Sequence, residues 1–466
     1  TPHPNVGGSI VDWTFRQKPS LVDVLVWSCV CRLCRTASDR GQSTVPVISA
    51  ELGVQLGDRE GERVNKIALN ESDDVFIAGY SVTTSGRIRD FDALLTKIDG
   101  HTGDLVWSRL IRTDEFDAAY DVATDGSGSV YMAGETRGDI SGNAFGQQDA
   151  FLSKHDGSGN QQWTRQLGTT EFDVGTGVAS DHLGNVFIAG YTRGSLGGTN
   201  GGGFDAFVAK FSTDGNRLWL RQFGTDENDS VFAIDSDDLG NVYVAGKTFG
   251  DLGGLHAGGG DVFLTKLDSD GNEVWSSQFG SGFDDQPTSI SINRATGDIV
   301  MSGGTAGNLT DNFRVDTRDA FIAKLDESGR VVWINQLFDP LSETAQGVDV
   351  DSVGNVFAVG HQSAPAGGPQ LNEAILIALS SDGRTIWRRT FGTENIDLAF
   401  AVAVDEFDAL NVAGTTDGDL FGPNSRRGSD DIFVFELQIV PEPSSSCLSF
   451  FLLLLSANSG RRHRRW

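Results

Sequence analysis

Short apolar segments that end in glycine recur along most of the chain. The final glycines lie 55, 56, 56, 57, 57 and 54 residues apart, so one unit of about 56 residues repeats seven times. The seven segments are VFIAG (75–79), VYMAG (130–134), VFIAG (186–190), VYVAG (242–246), IVMSG (299–303), VFAVG (356–360) and LNVAG (410–414).

Two further elements repeat with the same period. The first begins with an acidic residue and continues with a mostly apolar run, as in DAFVAK from Asp205. Its other copies begin at Asp92, Asp149, Asp261, Asp319, Glu373 and Asp431. The second element carries a large apolar residue, which is Leu52 in one copy and otherwise Trp107, Trp163, Trp219, Trp275, Trp333 and Trp387.

Turn signals separate these elements. Asp-Gly-Asn at 214–216 and 270–272 lies between alternating apolar runs, which is typical of antiparallel hairpins. Each unit therefore holds four short strands, and seven such units predict an all-β fold, a seven-bladed β-propeller with four antiparallel strands per blade. The chain enters with an outer strand at 52–56 and leaves with a third strand at 431–437, so an N-terminal strand is expected to complete the last blade.

The repeat resembles the SBBP-type β-propeller repeat. The resemblance rests on Gly-Asn-Val at 184–186, 240–242 and 354–356 and on the Asp-Ala-Phe-x-x-Lys strand, and it covers roughly residues 52–437. It implies the propeller fold and leaves the function open. The tryptophans are expected to pack between blades, and the lysines that end the third strands (Lys97, Lys154, Lys210, Lys266 and Lys324) to pair with acids of an adjacent blade.

Charge and cysteine content limit the class of function. The net charge is −28, which argues against binding to a phosphate backbone through Lys and Arg. No cysteine lies between residues 50 and 440, so disulfides do not hold the repeats together. Cys29, Cys31 and Cys34 are spaced closely enough for a metal site, but no fourth ligand lies nearby.

The two ends differ from the repeats. We place a leader at 1–50, the propeller at 51–438 and a sorting tail at 439–466. Residues 21–31 are apolar and follow Arg16 and Lys18, which predicts a degenerate export signal or else a disordered leader.

The tail has three parts in order: Val440, Pro441, Glu442 and Pro443, then an apolar run at 447–455, then an arginine cluster at 461–465. The apolar run is too short to span a bilayer alone. This order resembles the PEP-CTERM sorting signal of Gram-negative bacteria, which is processed at the membrane by an exosortase. The resemblance implies export, transient membrane contact through the tail, and a location at the cell surface or in the extracellular matrix; an ordinary tail anchor is the alternative.

Strand order brings one acid from each repeat to one face, near the axis. Two interpretations are open: a ring of oxygen ligands for Ca²⁺, the one cofactor considered, or acceptors that cap turns. The acids are Glu62, Asp117, Asp173, Asp229, Asp285, Glu343 and Asp397.

The loops between second and third strands share that face and vary among the repeats. They carry arginines that suit acidic sugars through forked hydrogen bonds, although plain solvated loops are the alternative. The candidate binding residues are Arg87, Arg137, Arg193, Arg318 and Arg426.

No catalytic motif was found: the chain has no Gly-x-Ser-x-Gly sequence and no closely spaced histidine pair. We therefore predict a non-catalytic binding or scaffold module, whose partners are an exosortase-type enzyme and an extracellular polysaccharide or surface protein. The alternative is a secreted propeller enzyme that acts on polysaccharide, a lyase or a glycosidase.

Overall fold

The computed structural model of the protein describes residues 47–57, 61–85, 88–142, 144–181, 183–310, 318–337, 342–363, 372–421 and 430–440. These residues form seven antiparallel sheets of four strands each, which confirms the predicted seven-bladed propeller. Within these ranges no helix is long and apolar enough to cross a membrane.

The first strand of each blade contacts the first strand of the next blade, and the ring of contacts closes between blades 7 and 1. These strands therefore surround the axis. In blades 1 to 7 they are β2 (Glu62–Leu69), β6 (Asp117–Thr124), β10 (Asp173–Ser180), β14 (Asp229–Ser236), β18 (Asp285–Ile292), β22 (Ser342–Val350) and β26 (Asp397–Val404).

The other strands follow outward in each blade. The second strands are β3 (Val75–Ser85), β7 (Val130–Thr136), β11 (Asn185–Thr192), β15 (Val242–Thr248), β19 (Ile299–Thr305), β23 (Val356–Ser363) and β27 (Leu410–Thr416). The third strands are β4 (Ile88–Ile98), β8 (Asp149–His155), β12 (Asp205–Ser212), β16 (Asp261–Leu267), β20 (Asp319–Leu325), β24 (Asn372–Leu379) and β28 (Asp431–Val440). The outer strands are β5 (Leu105–Ile111), β9 (Gln161–Leu167), β13 (Arg217–Phe223), β17 (Glu273–Phe279), β21 (Val331–Gln336), β25 (Thr385–Phe391) and, for blade 7, β1 (Val47–Leu56).

Because the strands alternate in direction, the connections divide between two faces. We call the face with the loops between second and third strands and between successive blades the loop face. The opposite face holds the tight turns that join first to second and third to outer strands, and we call it the hairpin face. Both β1 and β28 reach the hairpin face, at Val47 and Val440.

The ring closes as predicted, but the paired segments of β1 and β28 are longer than expected. Strand β1 pairs with β28 from Leu56 opposite Ile432 to Val47 opposite Val440. The propeller strands thus run beyond the expected limits of 51 and 438, and Val440 of the sorting motif is the last residue of β28. Pro441, Glu442 and Pro443, the rest of the tail and the leader up to residue 46 lie outside the described residues.

Five of the six repeated tryptophans form a hydrogen bond to the next blade, in agreement with their expected packing between blades. The Trp219 indole nitrogen donates a hydrogen bond of 3.0 Å to the Ser269 carbonyl in the next blade, and the ring covers Gly271, whose φ is +80°. Trp107, Trp163, Trp275 and Trp333 donate the same bond to the next blade.

Repeated lysines pair with acids of their own blade, whereas the sequence predicted pairs with an adjacent blade. Lys97 pairs with Asp74 at 2.7 Å, and Lys324 pairs with Asp298 at 2.8 Å. Both acids lie in the first turn of the lysine's own blade, not of an adjacent one. The third strand passes beside that turn, so these two lysines reach the acid within their own blade. Lys154 and Lys210 donate to the Thr213 and Ser269 carbonyls of the next blade.

A candidate binding site at the loop face

The seven repeated acids begin the first strands, or lie one residue inside in blade 6, at the loop face. Asp229 is typical: its Oδ2 accepts the Thr225 backbone N–H at 2.5 Å and the Thr225 hydroxyl at 2.9 Å. The same two bonds join a Thr or Ser four residues earlier to Asp117, Asp173, Asp285 and Asp397. Each of these acids therefore caps the turn that leads into its blade.

A second hydroxyl completes this arrangement. The Thr136 hydroxyl donates to Asp117 Oδ1 at 2.5 Å, and Thr192, Thr305 and Thr416 do the same in their blades. Burial raises the pKa of Asp117, Asp173, Asp229, Asp285 and Asp397 above its ordinary value, and the hydrogen bonds offset part of that increase.

The two glutamates of the ring depart from this pattern. Glu343 is buried and forms an ion pair with Arg388 of its own blade, whereas Glu62 is half-buried and its backbone N–H donates to the Asp430 carbonyl at 2.9 Å. Across the described residues, no group of three or more His, Cys, Asp or Glu side chains is placed to hold a metal ion. Calcium binding by the ring stays a prediction for experiment.

The axis holds a polar cavity of about 240 Å³, lined by all seven first strands. Lys66 of blade 1 crosses it and donates to the Ser289 hydroxyl of blade 5 at 2.9 Å. Asp121 of blade 2 accepts the Val178 N–H of blade 3 at 2.9 Å. Burial raises the pKa of Asp121 to about 6, although the Lys66 charge lowers it. These contacts tie opposite and neighbouring blades together across the axis.

At the loop face, blades 1 to 3 carry aromatic side chains at positions that vary among the repeats. The Tyr80 and Phe91 rings lie 5.6 Å apart, and Phe91 is 5.1 Å from Phe116 of the next blade. In blade 3, Tyr191 and Phe204 meet edge to face at 5.2 Å. We call these five half-buried side chains the aromatic arc.

Two of the predicted arginines cover this arc. The Arg137 guanidinium lies 5.1 Å from the centre of Phe116, and that of Arg193 lies 5.9 Å from the centre of Phe204. Both arginines are exposed. They therefore present charged groups to solvent directly above aromatic rings in neighbouring blades.

A buried acid lies beneath the arc. Glu135 is 5 % exposed, accepts the Tyr120 hydroxyl at 2.9 Å, and accepts a bond from Gln148. Burial and the Glu135 charge raise the pKa of Tyr120 far above its ordinary value, and burial raises that of Tyr191 to about 12. Both phenols are neutral hydrogen-bonding groups at physiological pH.

The other predicted arginines are placed differently. Arg318 lies against Gly304 in blade 5, away from the aromatic arc, and Arg87 and Arg426 lie outside the described residues. The corresponding position in blade 4 is polar. Lys247 of blade 4 pairs with Asp284 at 3.3 Å.

Sequence reasoning selected the variable loops and their arginines, but it did not identify the aromatic rings beneath them as one surface. The residue after the repeated glycine lies toward the loop-face end of each second strand, and it differs from blade to blade: Tyr80, Glu135, Tyr191, Lys247, Gly304, His361 and Thr415. Variation at one fixed position of a strict repeat is the signal that would have identified it.

Comparisons with known proteins agree with the fold. The family model of the SBBP β-propeller repeat matches residues 162–197 and 218–253. The regulatory protein FlaEY of Caulobacter vibrioides is 32 % identical over 160 residues, which is 31 % of this chain and 17 % of that protein. Two segments of this chain thus match the β-propeller repeat, and the chain spans only a small part of the regulatory protein's length.

Two solved structures are similar to the chain. The WD40 domain of Neurospora crassa Pan2 is 12 % identical with a TM-score of 0.48, and the match covers 84 % of this chain and 98 % of that one. The β-propeller domain of the Trilobed protease from Pyrococcus furiosus is 8 % identical with a TM-score of 0.45, and the match covers 82 % and 99 %.

Proposed function

We propose that this β-propeller is a non-catalytic binding module of the cell surface or extracellular matrix of a Gram-negative bacterium, and that it binds acidic polysaccharide at the aromatic arc. The observation that carries the proposal is the stacking of exposed Arg137 and Arg193 on rings of two neighbouring blades. Guanidinium groups bind carboxylates in a forked geometry, and aromatic rings pack against the apolar face of a sugar. Together they match a chain of uronate residues.

The sorting tail supports the location. Val440 to Pro443, the apolar run at 447–455 and the arginines at 461–465 have the order expected of a segment processed by an exosortase-type enzyme. Expression in a host that carries such an enzyme should yield surface protein whose intact mass lacks the tail. Recovery of only full-length protein from the cytoplasm of that host would contradict the assignment.

The alternative is an enzyme that cleaves polysaccharide, and Tyr120 beside Glu135 is the observation that favours it. A lyase needs a base, however, and the raised pKa of Tyr120 keeps that phenol protonated. Glu135 is nearly fully buried and accepts two hydrogen bonds, so it is poorly placed to reach a glycosidic oxygen. Turnover of any polysaccharide that is abolished by Glu135→Gln would replace the binding proposal with this one.

The binding proposal is tested with polygalacturonate and neutral dextran, each in Ca²⁺ and in EDTA. We expect binding to polygalacturonate alone, and a loss of about 10- to 100-fold in affinity for Arg137→Ala or Arg193→Ala, since a hydrogen bond to a charged group contributes about 1.5–3 kcal/mol. Arg217→Ala is the control, because Arg217 is exposed on the outer strand of blade 3.

Each outcome of this screen is informative. Binding that requires Ca²⁺ would support the calcium interpretation of the acid ring. Equal binding by all three variants would remove the arc from the proposal. No binding to either polymer would favour a protein partner, which also fits the similarity to a protein named as regulatory.

A further inference from the structure

Four apolar side chains project from the hairpin face. Each is the third residue of the turn that joins a first strand to a second strand, in blades 3, 4, 6 and 7. Their exposed fractions are 64 % for Leu183, 76 % for Leu239, 73 % for Val353 and 70 % for Phe407. We call these four residues the apolar tips.

The fold does not require apolar residues at these positions. The turn is fixed by an aspartate two residues earlier, whose Oδ1 accepts the backbone N–H of the tip: Asp237 accepts from Leu239 at 3.0 Å. Blade 2 makes the same bond, from Ser127 to Asp125 at 2.9 Å, with serine at the tip. Folding of these turns therefore does not require an apolar residue at the tip. Exposed apolar groups clustered on one face are typical of a docking surface.

Acidic groups accompany the apolar tips. In blade 7, Phe407 is flanked by Glu406 and Asp408, and the corresponding turn of blade 1 contains Glu71 and Asp73. Burial raises the pKa of Asp73, and the negative charge of nearby Asp405 raises it further. This edge of the hairpin face therefore suits a partner that is apolar and basic.

The chain contains such a segment, and it starts at this face. Strand β28 ends at Val440. Residues 441–446 then provide about 20 Å of extended chain, which is enough to bring the following residues under the blades. The apolar run at 447–455 and Arg461, Arg462, Arg464 and Arg465 come next.

We propose that the hairpin face is the docking surface for this chain's own tail. The apolar run at 447–455 packs on the apolar tips, and the arginines pair with the acids of blades 7 and 1. Docking shields the apolar run from water until the run enters a membrane or a processing enzyme cleaves it from the propeller. This inference needs the tail but does not need polysaccharide binding, which takes place on the opposite face.

Cysteine crosslinking tests the contact in the full chain. With Cys29, Cys31 and Cys34 changed to serine, Cys447 is the only cysteine left. Leu239→Cys then adds a thiol at a tip, and the matched control Leu255→Cys adds one in the same blade at an 88 % exposed position of the loop face. Under dilute oxidising conditions we expect at least tenfold more intramolecular disulfide with Leu239→Cys.

Equal yields for the two variants would overturn the proposal, and crosslinks only between molecules would assign the surface to a second copy.

A second measurement replaces all four apolar tips by serine, the residue found at this position in blades 1 and 2. Release of the tail should raise binding to phosphatidylcholine vesicles about tenfold and leave polygalacturonate binding unchanged. Vesicle binding as strong before the change as after it would also overturn the proposal.

Discussion

Replacing Gly271 by alanine tests whether the contact between tryptophan and glycine holds neighbouring blades together. Gly271 has a φ of +80°, and a Cβ there would lie 2.9 Å from Cδ2 of Trp219 and 3.1 Å from two further ring atoms. The left-handed backbone costs about 1–2 kcal/mol for a residue with a Cβ. Overpacking against the ring adds about 1–3 kcal/mol. We therefore expect Gly271→Ala to lower the free energy of unfolding by about 2–5 kcal/mol.

Two other glycines separate these contributions. Gly128 has a φ of +81° with no atom within 4 Å of its added Cβ, so Gly128→Ala should lose only the backbone cost of about 1–2 kcal/mol. Gly282 has neither a positive φ nor a close neighbour, so Gly282→Ala should lie within about 0.5 kcal/mol of the parent protein. The three variants are compared by urea denaturation, followed by far-ultraviolet circular dichroism.

A double-mutant cycle isolates the ring contact. In a Trp219→Val background, Gly271→Ala should cost no more than Gly128→Ala does in the parent protein, because the ring is gone. If Gly271→Ala and Gly128→Ala destabilise the parent protein equally, the ring contact does not contribute, and the proposed role of the tryptophans in joining the blades is refuted.

Three further predictions follow from the same contacts. Trp219→Phe should lower the free energy of unfolding by about 0.5–1.5 kcal/mol, because the Ser269 carbonyl loses one of its two donors and keeps Lys210, and urea denaturation measures this change. Thr136→Val should cost about 1–3 kcal/mol, because it leaves the buried Asp117 Oδ1 without its hydroxyl donor; Thr136→Ser, which keeps the hydroxyl, is the control. Asp121 has a folded pKa of about 6, above its ordinary 3.8, so its contribution to stability is complete below pH 3.8 and is lost as the pH rises to 6. Unfolding measured from pH 4 to pH 6 should show this decline, and a decline equally steep in Asp121→Asn would contradict the assignment.

The period of the sequence was enough to predict the architecture. Seven copies of a glycine-ended strand at nearly constant spacing define seven blades, and the unmatched strands at the two ends define closure. The tryptophans were placed correctly for the same reason: a contact with the next blade recurs whenever the side chain recurs. The pairing of Lys97 was predicted wrongly, since the period places a lysine on its strand and does not say which of two nearby turns it reaches.

The candidate site was only partly predictable. Arg137 and Arg193 were selected because their loops vary, but the rings beneath them were not identified as one surface. Phe91 and Phe116 meet across two blades at positions where the repeats differ, so no periodic signal connects them. The contact from Lys66 to Ser289 spans 223 positions of the chain and depends on the diameter of the ring, which the sequence alone does not give.

Closure by β1 and β28 has a consequence for how the protein folds. Blade 7 is complete only when the strand that begins at Val47 pairs with the strand that ends at Val440, which are the most distant strands in the sequence. Contacts between distant parts of a chain slow folding, because the intervening segment loses entropy before the contact is made. As the chain is synthesised from its amino end, β1 stays without its partner until the other six blades have emerged. A molecule interrupted before residue 431 keeps an open sheet edge and is expected to be an aggregation-prone intermediate, whereas the completed chain leaves that state in a single late step.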